Sequence, residues 1–95
     1  MFRPFNIQGV NVDNRFETLQ NARRDLIGEI EAIIQYDQHY AESTNEVAKS
    51  TWASIRNEEL THVGELLALL DFLEPSQKAY VESGMREFAE NNSRK

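Results

Sequence analysis

Three side chains carry the chemistry this sequence offers: Glu29 in one segment, and Glu59 and His62 three residues apart in another. Carboxylate oxygens beside a neutral imidazole nitrogen form a donor set that suits Fe, Mn or Zn better than Ca or Mg. The chain has no cysteine, so disulfides and thiolate sites are excluded and any metal must bind through oxygen and imidazole.

The surroundings of these residues sharpen the point. In the stretch IRNEELTHVGELLALLDFL and the turn before it, the positions Trp52, Ile55, Glu59, His62, Leu66, Leu69 and Leu73 alternate by three and four, and so share one stripe of a helix. Only the middle two are polar. An earlier stripe repeats the pattern through Leu19, Ala22, Leu26, Glu29, Ile33, Tyr36 and Tyr40, again with a carboxylate at its centre. A buried, unpaired carboxylate costs several kcal/mol, or neutralises by raising its pKa. A cation between facing carboxylates reverses that penalty. A lone Glu on a seam is most often an edge residue, and a lone Glu-x-x-His arises by chance in many helices. Here the interruptions coincide at one level.

The elements that hold these stripes are legible. Asn14 with Glu17 offers a capping box for a helix over about 14–41, and Ser43 with Glu46 offers a second for a helix over about 45–73. The short link makes the pair an antiparallel hairpin and sets position 29 opposite 58 or 59. Pro75 ends the second helix and suits the first turn of a third, weaker one over about 75–90. Residues 1–13 read as an N-terminal arm, 14–91 as the helical domain and 92–95 as a tail. The fold class is all-α: a two-helix hairpin plus a short C-terminal helix.

A ferritin-like di-iron site takes a Glu from each of two helices and a Glu-x-x-His from each of two others. This chain supplies one of each, which is half a site. A twofold axis would supply the rest, turning two hairpins into a four-helix bundle around two irons.

Composition removes other classes. With 16 acidic and 10 basic residues, and a net charge of −6, the chain lacks the basic footprint of a nucleic-acid binder. The opening MFRPFNIQGVNV has no continuous apolar run for secretion, and no segment approaches the roughly 20 apolar residues that span a bilayer. A cytoplasmic protein with no membrane partner is expected.

At EIEAIIQYDQ and RNEELTH the sequence resembles the encapsulated ferritin family, the iron-oxidising cargo of encapsulin shells, and HVGELLALL is similar to its archaeal-type members. The likeness covers residues 14–90. It implies ferroxidase activity, with Glu29, Glu59 and His62 as iron ligands, Tyr36 close to the iron, and Glu31 as a carboxylate that attracts incoming metal. It also implies a decameric ring of five dimers inside an encapsulin nanocompartment. Gly28 stands where the family can carry a further iron-attracting acid, and Gln35 where it can carry Trp. The peptide that docks such cargo is not evident in AENNSRK, so a longer chain or a fusion to the shell protein is expected.

Other residues have plainer expectations. His39 lies off the Glu29 stripe and is expected to face solvent, Trp52 to be interface core, and Glu58 and Glu65 to be exposed charges that could also orient His62. Two competing readings remain: a non-catalytic helical dimerisation or scaffold module whose polar residues fix register, and a protein using Mn or Zn.

Overall fold

In the computed structural model, which describes residues 14–93, the chain forms three helices: α1 (Arg15–Glu42), α2 (Glu46–Leu73) and α3 (Pro75–Ser93). The N-terminal arm expected over 1–13 lies outside the described residues, as do the last two residues of the expected tail. α3 continues through Asn92 and Ser93, beyond the end expected near 90, and Asn92 and Ser93 bond back to carbonyls of its last turn.

The helix starts differ in detail from the capping boxes. Asn14 makes no side-chain cap, and α1 opens with the Thr18 amide donating to the Asn14 carbonyl at 2.9 Å. For α2 the cap is Asn45, whose Oδ1 accepts from the Ala48 amide at 3.0 Å, while Ser43 Oγ accepts from the Asn45 amide at 3.0 Å. Asn and Ser are both good caps, and the three-residue link gives the role at the helix start to Asn45. At the other end Glu74 leaves helical geometry (φ −140°, ψ 86°), as expected before Pro75, and Pro75 begins α3 without losing a needed donor.

α1 and α2 pack antiparallel along their length, and α3 turns away from the end of α2. The small apolar core sits at the end of the hairpin remote from its turn, where Leu19, Ala22 and Leu70 are buried and Leu26 and Leu73 pack against them. The body measures 54 × 42 × 14 Å, one helix layer thick. Its radius of gyration is 18.4 Å, against about 12 Å for a compact domain of this length.

A single layer leaves both faces open. One face carries Glu29, His62, Leu66 and Leu69. The opposite face carries Ile27 and Ile34 from α1 with Leu60 and Leu67 from α2, exposed to 43–59%. Helical spacing explains the split, since residues about half a turn apart must point to opposite sides.

Candidate metal centre

α1 and α2 bring Glu29, Glu59 and His62 together at mid-height of the hairpin, one donor atom from each lying within 4.8 Å of the others. His62 Nδ1 stands 3.1 Å from Glu59 Oε1 and 3.3 Å from Glu29 Oε1. The first contact follows from the i, i+3 spacing on α2. The second crosses from α2 to α1. The side chains of Glu59 and Glu29 are mostly covered, at 18% and 24% exposure, whereas His62 is half open at 47%.

The electrostatics are those of a site short of positive charge. Burial pushes the Glu59 carboxyl above its ordinary value, and the facing Glu29 pushes further in the same direction against the opposing pull of His62. The Glu29 carboxylate, accepting from His62, raises the imidazole's affinity for its proton, reinforced by the charges of Glu29, Glu59 and Glu65 and opposed by burial. A proton held by this cluster partly neutralises it. A divalent ion would do so more fully, and its binding would release the proton from the ligating nitrogen.

An open groove of about 490 Å³ adjoins the cluster, lined by Arg24, Asp25, Gly28 and Glu65 beside Glu29 and His62. A Cβ placed on Gly28 would meet nothing within 4 Å, so the groove is wide at that point. Asp25 was not singled out in the sequence, although its position four residues before Glu29 places it on the same face. Glu65 is exposed on the groove wall and Glu58 is exposed as well.

The remaining expected residues lie apart from the three donors. Tyr36 is half-buried toward the hairpin turn, its ring edge-on to His39 at 6.3 Å. Glu31 is exposed and outside the cluster. His39 corrects its expectation: it is half-buried, its ring 5.0 Å from that of Trp52, and its Nδ1 is enclosed without a hydrogen-bond partner. The neighbouring helix supplies an aromatic wall that a single-helix projection does not contain. Trp52 is half-buried against that ring.

The fold matches the crystal structure of the encapsulated ferritin domain from Pyrococcus furiosus with a TM-score of 0.80 and 30% sequence identity, covering 95% of this chain and 92% of that one. A ferritin-like-encapsulin shell fusion protein from the same organism is 34% identical over 74 residues, 78% of this chain. The chain spans only 21% of that curated relative's length. No protein-family model matches the sequence.

Proposed function

The chain belongs to the encapsulated ferritin family, and on that premise we propose that it is a ferroxidase, oxidising Fe(II) to Fe(III) at a di-iron centre shared by two copies. The convergence of Glu29, Glu59 and His62 within 4.8 Å is the observation that carries this reading. They fit iron because hard carboxylate oxygens accept both oxidation states, while one imidazole favours a transition metal over Ca or Mg. They are half of a ferritin-like set, and a second copy related by a twofold axis supplies the other half.

In this scheme Glu29 of each chain would serve the iron pair from its centre, and Glu59 with His62 would hold one iron. Each Fe(II) gives up one electron. Dioxygen takes two electrons and two protons and leaves as hydrogen peroxide. When peroxide is the oxidant, two electrons and two protons convert it to two waters. The covered carboxylates lose water on assembly but gain direct coordination, so metal binding and pairing of the hairpins reinforce one another. Glu31 attracts incoming iron, and Tyr36 lies one heptad along the seam from Glu29, toward the hairpin turn.

The single-layer shape supports a larger assembly. Pairing through the site face leaves the Ile27, Ile34, Leu60 and Leu67 face uncovered, and a further contact there extends dimers toward a decameric ring. A ring encloses no mineral, so ferric product passes to a container. We assign that role to an encapsulin shell in the cytoplasm, consistent with the shell-fusion relative. Among the described residues no helix is long and apolar enough to cross a membrane.

Anaerobic titration with Fe(II), followed by admission of air, tests the proposal. The expected result is saturable uptake of about one iron per chain, two per dimer, and ferric absorbance after air. Absence of saturable uptake, unchanged by substitution of Glu59 or His62, would point instead to a scaffold module.

A further inference from the structure

Metal binding at the three-donor cluster sets a condition on the outer side of His62. Its Nδ1 is the ring nitrogen held between Glu59 Oε1 at 3.1 Å and Glu29 Oε1 at 3.3 Å. An ion that takes those oxygens takes Nδ1 with them, and a ligating imidazole nitrogen must first give up its proton. The neutral ring then carries its one proton on Nε2, which becomes a hydrogen-bond donor. Among the described residues His62 makes no hydrogen bond through Nε2. The metal-bound ring therefore calls for an acceptor.

Helix geometry narrows the choice. One turn from His62 on α2 stand two free acids, Glu58 four residues before it and Glu65 three residues after it. Only Glu65 lines the groove that His62 also lines, between Leu66 and Leu69 of α2 and Asp25 and Gly28 of α1. The charges that reach the ring make the same distinction. His62 holds its proton more tightly first because of its bond to Glu29, against burial, and then because of the charges of Glu29, Glu59 and Glu65. Neither Glu58 nor Asp25 is among them. Glu65 is exposed and makes no hydrogen bond or ion pair among the described residues, so its carboxylate is free to turn toward the ring. Side chains three apart on a helix start only about 5–6 Å from one another, well within the reach of a glutamate.

We propose that Glu65 is a positioning residue of the metal centre, its carboxylate accepting from His62 Nε2 so that the ring presents Nδ1 to the ion. This rests on the reading of Glu29, Glu59 and His62 as iron ligands, and it adds a carboxylate that acts on iron only through the imidazole. Glu65 itself stands outside the three donors that converge within 4.8 Å. The bond does two things: it fixes the tautomer and the plane of the ring, and it makes Nδ1 a stronger donor to the metal. Leu66 and Leu69 on the groove wall give the bond an apolar surrounding, in which a hydrogen bond to a charged acceptor is stronger than in water.

The test is the anaerobic Fe(II) affinity of the full chain, measured for the parent and for Glu65→Ala, Glu65→Gln, Glu58→Ala and Asp25→Ala, with helicity recorded on each. A second readout is the Nε2–H proton of His62, followed by NMR in protein loaded with Zn(II). Glu65→Ala should weaken Fe(II) binding by about 10–100-fold, with helicity unchanged because the side chain is exposed. Glu65→Gln, whose amide oxygen still accepts, should recover most of that loss, and Glu58→Ala and Asp25→Ala should bind as the parent does. The Nε2–H proton should exchange slowly with water in the parent and rapidly in Glu65→Ala. Parent affinity in Glu65→Ala would overturn the proposal. Equal losses in Glu65→Ala and Glu65→Gln, or an equal loss in Asp25→Ala, would also overturn it, because the effect would then be the negative field of the groove and not a bond to the ring. A parent that takes up no Fe(II) would overturn the metal reading and this proposal together, whereas tight uptake indifferent to Glu65 would overturn this proposal alone.

Discussion

Two stretches of one helix seam follow opposite rules. At the end near the start of α3, Leu19, Ala22 and Leu70 bury apolar surface against each other, and burial lowers their free energy in water. Halfway along, Glu29 and Glu59 are covered by the same packing, and burial raises theirs. The first stretch stabilises the hairpin unaided. The second calls for a proton or a metal, so the two should respond to mutation and to pH in different ways.

The largest effect is expected at the apolar end. Leu70 is 2% exposed, and Leu70→Ala should cost on the order of 2–5 kcal/mol in chemical denaturation, with iron stoichiometry preserved in whatever fraction remains folded. A loss under half a kilocalorie would remove the contrast, since it would mean that assembly rather than this cluster holds the hairpin. At the polar level the pattern inverts. Glu59→Ala or His62→Ala should lower the rate of ferrous oxidation by at least about 100-fold, beyond the 10–100-fold typical of losing a residue that only supports a ligand. The metal-free variants should match or exceed the parent in stability, because each change relieves a crowded cluster. Substantially lower metal-free stability would assign the cluster to the core instead.

A smaller effect distinguishes proton from metal. Both Glu59 and His62 bind protons more tightly in the fold than in the open chain, Glu59 through burial and His62 through its bond to Glu29. The folded state therefore carries more protons above the ordinary values of 4.5 and 6.5, and metal-free stability should fall as pH rises through those windows. Glu59→Gln should remove the lower part of that decline. With Fe(II) bound anaerobically the slope should reverse, since metal binding releases protons and tightens with pH. Equal slopes with and without metal would show that the ion does not occupy the cluster.

The smallest effect belongs to the surface. Arg56 Nε and Asp37 Oδ1 lie 2.9 Å apart across the hairpin near its turn, and both side chains are well exposed. Arg56→Ala should change stability by less than about 1 kcal/mol. A larger loss in denaturation would mean that assembly buries this pair.

Much of this was readable from the chain because local periodicity governs it. The three and four spacing places Glu29 at the centre of one stripe and Glu59 with His62 at the centre of another, and the short turn opposes them. Helix caps are less determinate, since Ser43 and Asn45 can each place an oxygen that accepts from a backbone amide, and three residues separate the helices. His39 is half-buried where its own helix predicts exposure, because its environment comes from Trp52 on the other helix. The hydrogen bonds that Arg23 donates to Glu74 and Gln77 give no local signal at all, with partners more than 50 residues away. The second apolar face has a simpler explanation: the seam of each helix carries no information about the isoleucines and leucines on its far side.

Where two chains meet can be seen in a crystal structure of the iron-loaded assembly, with anomalous scattering recorded at the iron edge. A shared centre should give a pair of iron peaks between two chains, each ringed by Glu29, Glu59 and His62 donors drawn from both. Irons located elsewhere, or these side chains facing bulk solvent in the assembled particle, would contradict it.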